Sequence, residues 1–502
     1  MPYSYEKRWA GLGALCLAMS IITLDNTVLD VALPSISNDL SASMSELQWI
    51  VDIYILFFAS ILITIGALGD QFGRKRFLKI GIVLFSLASL GAGLSTSTAE
   101  LILFRSLSGF GAAFIMPSTL SIITHMFTDS DERMKAIGLW SMIFGLSQGF
   151  GPLIGGFIIE YTSWHWVFFI NLPIGLIAFV YASWVLPESH NKNAKADLVG
   201  MLLCVIFLFA LTYGIIEAGV KSLSDATVQI SLIIGLTVCA LFIFWERRCS
   251  HAMIPFELFK KRTFTIPSFA IALIVFGMVG SMFFFSQLFQ TVQGYSALQA
   301  GLLLMPMTLG VAIGSKISPN ALKAYGMPLS IGGGIIISAL GMVLFVFTIT
   351  IHMPLWAILV GFLIQGFGMG LSMPPSTHSI MSSIPKEKAG VGSALNDTTI
   401  ELSAAMSIAI LGSYVNHIYL LHVKEIEAEP SLLKALQNSI QSAHQAIASL
   451  PNVAAHDHLL TLVNQAFIDG MYHTMIVGCL LSILSGSLAI WLLPNNAQEP
   501  KQ

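Results

Sequence analysis

Hydrophobic residues along this chain run in long blocks separated mostly by short polar interruptions, without the strict alternation of a half-buried strand. Blocks long enough to cross a bilayer, about 20 residues each, fall at 9–32, 46–67, 77–96, 99–122, 135–159, 164–187 and 198–218. Further blocks fall at 226–246, 265–290, 298–318, 328–349, 354–379, 391–415 and 470–493. Backbone polar groups in lipid must be satisfied within their own segment, so such blocks predict helices, fourteen in all. The first block follows Lys7 and Arg8, as a signal peptide would, but it runs to Val31 without a small-residue cleavage site. It is read as a retained helix.

The pattern also repeats. Residues 109–119 read GFGAAFIMPST and residues 366–377 read GFGMGLSMPPST, with the Gly-Phe-Gly and Met-Pro elements at one constant offset. Lys135-Ala-Ile-Gly and Lys388-Ala-Gly likewise open a later block in each half. The organisation expected is a six-helix half at 1–190, two inserted helices with a linker at 191–262, and a second six-helix half at 263–502. Repeated halves are a common transporter architecture, with the substrate site near the midplane between them. The polar stretch at 416–469 carries Leu432, Leu433, Leu436 and Ile440 at helical spacing, so it predicts an amphipathic element, either a solvated connector or a lid.

Composition narrows the class. Of 502 residues, 55% are hydrophobic and 10% charged, against about a quarter charged in soluble domains. The fold class expected is an all-α polytopic membrane protein. Basic residues set its orientation. Twenty of the 24 fall on one side if the N-terminus is cytoplasmic: Lys7, Arg8, Arg74, Lys75, Arg76, Lys79, Arg133, Lys135, Lys192, Lys195, Arg247, Arg248, Lys260, Lys261, Arg262, Lys316, Lys323, Lys386, Lys388 and Lys501. Lys221, Lys424 and Lys434 fall on the other side, and Arg105 lies within a block. Both termini are therefore expected in the cytoplasm. The five cysteines show no CxxC pair, which argues against a zinc site or a disulfide framework. A net charge of -3 gives no reason to expect nucleic acid as a partner.

Several motifs then point to one family. Gly66-Ala-Leu-Gly-Asp70-Gln-Phe-Gly73-Arg74-Lys75-Arg76 resembles the signature loop GxLaDrxGrkxxl of the major facilitator superfamily, with Gln71 where a basic residue is usual. Its glycines allow a tight turn, and Asp70 and Arg74 can form a charge relay; a plain basic, topology-setting loop is the alternative. Leu24-Asp25-Asn-Thr27-Val-Leu-Asp30-Val-Ala32-Leu-Pro34 is similar to the LDxTVxNVALP motif of the fourteen-helix drug:proton antiporters, the EmrB/QacA-like group, with Asp30 for Asn. Arg105-Ser-Leu-Ser-Gly109-Phe-Gly111 resembles RxxqGxg, with Ser108 for Gln. Gly151-Pro152-Leu-Ile-Gly155-Gly156 resembles the antiporter motif GPxxGG, although Ser147 stands where Gly is usual. Trp164-His165-Trp166-Val-Phe168-Phe-Ile-Asn171-Leu-Pro173-Ile-Gly175 resembles WRWxFxINxPIG, with His165 for Arg. Ala196-Asp197-Leu-Val-Gly200 matches the acidic entry to the first inserted helix. The resemblance spans the chain. It implies a major facilitator fold and proton-coupled efflux of lipophilic or cationic small molecules across a bacterial inner membrane, by rocking of the two halves, with an accessory protein left open.

Ionisable residues inside a bilayer cost about 2.5–3.5 kcal/mol each by insertion scales, so each needs a reason. At ~1.5 Å per residue, Asp25, Asp52 and Arg105 fall at similar depths, so they can meet. An Arg105–Asp25 pair that protonation loosens would be a proton carrier, and a permanently satisfied polar cluster is the competing reading. Asp397 and Glu401, four residues apart, share a helix face. The resemblance includes a paired acid at this spacing in quaternary-ammonium exporters, which makes Glu401 a cation-binding candidate; Asp397 is either its partner or a solvated acid at the inner mouth. Asp52 is a second proton or cation group, or an exposed outer acid. Asp30 is expected at the outer mouth, and His125, His165 and His378 at helix ends. The many Phe and Met suit an adaptable cavity. No GxxxxGK[ST] element occurs, so no cofactor or nucleotide is expected and an electrochemical gradient does the work. Export of an endogenous metabolite, lipid or siderophore competes with drug export, and a membrane enzyme or sensor lacks a catalytic constellation.

Overall fold

The computed structural model describes residues 5–190, 196–249, 252–254, 256–384, 389–450 and 453–494. Lys192, Lys195, Lys386, Lys388 and Lys501, which contribute to the charge bias, lie outside the described residues. Every regular element among the described residues is helical. Among the described residues, thirteen helical stretches are long and apolar enough to cross a membrane. One of them, Ala297–Thr348, is interrupted at Gly326 (φ 76°, ψ 175°), a backbone setting that favours glycine, so the apolar segments number fourteen.

The chain forms two compact units. Unit 1 comprises Met1–Leu40, Glu46–Tyr213 and Ile230–Ile254. It contains α1 (Tyr5–Leu40), α2 (Met44–Phe72), α3 (Arg74–Gly93), α4 (Thr98–Met126), α5 (Ser130–Tyr161), the short α6 (Trp166–Phe169) and α7 (Asn171–Val185), with most of α8 (Leu198–Ala218) and α9 (Ala226–Glu246). Unit 2 comprises Ser41–Ser45, Gly214–Gln229 and Pro255–Gln502. Its helices are α10 (Arg262–Gln287), α11 (Ala297–Thr348), α12 (Leu355–Ser382), α13 (Ala389–Val423), α14 (Pro430–Asn438), α15 (Ile440–Ala448) and α16 (Val453–Leu492).

Helices meet closely where the repeat places glycine. In unit 1 a methyl on Gly81 of α3 would sit 2.9 Å from the Gly111 carbonyl oxygen of α4. In unit 2 a methyl on Gly334 of α11 would sit 2.8 Å from the Gly368 carbonyl oxygen of α12. Both contacts are backbone to backbone, the close approach that small residues permit in lipid, where no hydrophobic force drives helices together. The duplicated motif therefore has a duplicated packing contact. Ala270, Ile274, Met327, Ile331, Ile335, Met369, Ala489 and Leu493 form a buried core cluster of unit 2.

Two expectations change. The first helix continues to Leu40 rather than ending near 32, so Asp30 lies ten residues short of the helix end, about 15 Å, and is only partly exposed. The stretch 416–469 is neither a loop throughout nor a solvated connector. Its ends belong to α13 and α16, and between them lie α14 and α15, which bury Leu436, Ile440, Ala443 and Ile447. Pro430 opens α14, and the Ser439 hydroxyl accepts the Ser442 N–H at 3.1 Å to cap α15. Tyr419 donates to the Leu436 carbonyl at 2.7 Å, and Gln441 Nε2 donates to Gln287 Oε1 at 3.2 Å, both within the buried interior. Gln287 ends α10, immediately before a π turn at Leu288–Val292.

Candidate transport site

In unit 1 Asp25 and Arg105 meet at one buried node. Arg105, on the second turn of α4, has no exposed surface, and Asp25 on α1 is 3% exposed. Arg105 Nη1 pairs with Asp25 Oδ2. Its Nε donates to the Ile50 carbonyl of α2 at 3.1 Å, and its guanidinium lies 4.3 Å from the centre of the Tyr54 ring. The arginine thus ties α4 to α1 and α2 through three kinds of contact, and it leaves Nη2 without a hydrogen-bond partner. Asn171, the first residue of α7, completes the node by donating from Nδ2 to Asp25 Oδ1 at 2.7 Å.

Asp52 does not join this network. It is completely buried on α2, and neither of its carboxylate oxygens has a hydrogen-bond partner. Burying a carboxylate without donors is costly, which sets Asp52 apart from Asp25, whose two oxygens are both engaged.

The motif loop lies between α2 and α3. Gly73 takes φ 121°, a setting that side chains rarely adopt, so the chain turns there in a single residue. Arg74 Nε then donates to Asp70 Oδ1 at 2.6 Å and Nη1 to the Ser121 carbonyl at 3.3 Å. Lys75 Nζ donates to the carbonyls of Ser183 and Leu186 at 2.8 and 2.7 Å, where α7 ends. Gly66 faces Pro117 of α4, with room of only 3.2 Å for a methyl.

On α5, Gly151 and Gly155 face α1. A methyl at Gly151 would overlap the Thr27 hydroxyl, and one at Gly155 would lie 2.9 Å from the Val28 carbonyl. Pro152 and Gly156 are buried beside them. The GPxxGG segment is therefore the place where α5 comes closest to the motif-bearing part of α1.

Unit 2 holds the second set of acids. Asp397 and Glu401 sit one turn apart on α13, both partly exposed. Asn396 Nδ2 donates to Asp397 Oδ1 at 3.4 Å, while Asn396 Oδ1 and the Thr398 hydroxyl are buried without partners. On α12, Gln365 is 2% exposed with an unpartnered Oε1. His125 and His378 are exposed, and His165 stacks on Trp164 with centroids 3.8 Å apart.

Asn171 and Tyr54 were absent from the sequence candidates. A search for ionisable groups passes over amides and phenols. The available signal was an asparagine inside the apolar run Phe168–Gly175.

A family model described as Major Facilitator Superfamily matches residues 15–408. Among curated proteins, the chain is 32% identical to multidrug efflux pump LfrA of Mycolicibacterium smegmatis, covering 96% of this chain and 95% of that one. It is 30% identical to methyl viologen resistance protein SmvA of Salmonella typhimurium, covering 97% of each. Solved structures agree in fold: a bacterial homologue of the human lysosomal transporter Spinster superposes with a TM-score of 0.67 at 17% identity, covering 98% of this chain and all of that one. A D-xylose-proton symporter gives 0.62 at 13%, covering 98% and 99%.

Proposed function

Because the chain belongs to the major facilitator superfamily, and is thus a multi-pass membrane transporter, we propose that it is a proton-driven antiporter that exports hydrophobic, cationic compounds from a bacterial cytoplasm. Relatives named for multidrug efflux and for methyl viologen resistance support export of foreign compounds. The observation that carries proton coupling is the buried Asp25–Arg105 pair. A permanent ion pair sealed from water contributes little net stability, because desolvation offsets the attraction. A pair that opens on protonation does work instead: the proton removes the charge that holds Arg105, and α4 is freed from α1.

Asp52, buried without a donor, is the second proton site. Glu401 and Asp397 supply the negative charge for a cationic substrate, and a proton arriving on Glu401 weakens that hold. The Asp70–Arg74 pair and the α1–α5 contact at Gly151, Pro152, Gly155 and Gly156 keep one conformation until the halves rock. In this reading both termini face the cytoplasm and the inner membrane is the site of action. One charge crossing 100 mV supplies about 2.3 kcal/mol, roughly a fifty-fold concentration ratio.

Ethidium efflux in everted vesicles under an imposed pH gradient tests the proposal, with native protein beside Glu401→Gln. Gradient-driven efflux that is lost in the variant supports it. Efflux by both proteins alike removes Glu401 from cation binding, and no efflux by the native chain overturns cation export and favours an endogenous neutral or anionic substrate.

A further inference from the structure

The Arg105 contact accounts for only one oxygen of Asp25. The other accepts from Asn171 Nδ2, and the same amide nitrogen donates to Ser89 Oγ of α3 at 3.2 Å. Asn171 and Ser89 are both fully buried. Asn171 has thus spent its donor group twice, while its Oδ1 has no partner. A buried amide oxygen without a partner is costly in this state, and it is free to accept a hydrogen bond in another.

We infer that Asn171 is a positioning residue that reads the protonation of Asp25. With Asp25 ionised, Nδ2–H donates to the carboxylate and holds its other oxygen toward Arg105. When Asp25 takes up a proton, its carboxyl gains one O–H and loses its charge. The carboxamide then turns by half a revolution about χ2, a torsion whose wells are broad and two-fold. Oδ1 now accepts from the Asp25 O–H, and from the Ser89 hydroxyl, which can donate as well as accept. One setting uses the amide nitrogen and the other the amide oxygen, which gives the carboxamide the two alternative hydrogen-bonded arrangements of a two-state element.

The charged and titratable groups around this amide are few. Asp25 and, further along the same helix, Asp30 come from α1, with Asp30 in Coulombic reach of Arg105. Arg105 comes from α4 and the Tyr54 ring from α2, while α3 presents the neutral Ser89. The segment of α5 that meets α1 presents Gly151 and Gly155. Asn171 is therefore the neutral donor that favours the ionised acid alongside Arg105.

The inference rests on proton coupling at Asp25, and the test separates the two. Purified protein in liposomes is assayed for ethidium transport as a function of pH, as native, Asn171→Leu, Ser89→Ala, Asp25→Asn and the Asn171→Leu/Asp25→Asn pair. Loss of the Nδ2 donor favours the protonated acid, so Asn171→Leu moves the pH midpoint to the alkaline side by about one unit. Ser89→Ala removes a partner of the amide in both settings and leaves the midpoint near the native one, and Asn171→Ala carries the test if Asn171→Leu does not fold. In the Asp25→Asn background, Asn171→Leu changes nothing further. A folded Asn171→Leu with the native midpoint overturns the role of Asn171 and leaves Asp25 standing. A native midpoint in Asp25→Asn overturns proton coupling at Asp25, and the inference with it.

Discussion

Arg105 in α4 and Phe362 in α12 occupy corresponding places in the two halves, at the offset that aligns Gly109 with Gly366, yet their surroundings are opposite in chemistry. Arg105 sits among a carboxylate, an amide, a backbone carbonyl and a tyrosine ring. Phe362 sits in an aromatic cluster, with ring centroids 4.8 Å from Phe285 and 5.0 Å from Phe345, all three buried. Both frames rest on the same glycine-mediated helix contact. The aromatic node holds its helices by packing that no proton can alter. The polar node holds them by charge, at a desolvation cost that a purely structural joint could avoid. Under the proposed proton coupling, the charged node is the one that a proton can open at this level, and the aromatic node is the one that stays fixed.

The largest expected effect comes from breaking the polar node on one side only. Arg105→Ala leaves Asp25 buried without its cation and costs about 3–5 kcal/mol, read as a lower melting temperature in detergent with loss of efflux. Replacing both partners, as Asp25→Asn with Arg105→Met, restores most of that stability but not transport. A double variant that still couples efflux to the gradient would remove the node from the mechanism.

Phe362→Leu is the matching change in the other half. Shrinking a ring in a packed cluster costs less than the 3–5 kcal/mol typical of a full Phe→Ala truncation, on the order of 1–2 kcal/mol, and the pH profile of efflux stays native. A shifted profile would show that the aromatic node also takes part in coupling. Gly151→Ala comes next. Its methyl meets the Thr27 hydroxyl and costs about 1–3 kcal/mol by overpacking, with Thr27→Ala recovering part of the loss in the same melting assay.

The smallest effect concerns α15. His444 Nε2 lies 2.6 Å from Asn464 Oδ1, and burial lowers the His444 pKa from its ordinary value of 6.5. The folded state therefore prefers the neutral ring, and the unfolded state binds the proton more readily. Stability from docking α15 is present above about pH 6.5 and declines as pH falls below it. Hydrogen exchange across α15 measured down through that range checks this, and His444→Gln removes the pH dependence.

Much of this arrangement was legible in the sequence. Blocks of apolar residues located the long apolar helices among the described residues, because lipid demands length and apolarity together. The shared depth of Asp25, Asp52 and Arg105 made contact possible, and of the two acids only Asp25 meets Arg105, so depth alone did not choose the partner. What hydropathy could not mark was helix that continues without lipid. The polar turns His456–His458 belong to α16, and α1 runs through Pro34 to Leu40. Backbone hydrogen bonds carry those turns, and apolarity does not. Of the neutral members of the polar node, Asn171 stands out in the sequence only as part of a motif and an apolar run, and Ser89 and Tyr54 not at all, because a single amide or hydroxyl carries no charge to announce a partner.

The most direct test of the account is proton movement itself. Native protein is reconstituted with a pH-sensitive dye inside the liposomes, an ethidium gradient is imposed, and proton counterflow is recorded beside Asp25→Asn and Phe362→Leu. Ethidium-driven proton flux in the native protein and in Phe362→Leu, with none in Asp25→Asn, is the predicted result. Undiminished proton flux in Asp25→Asn would contradict it.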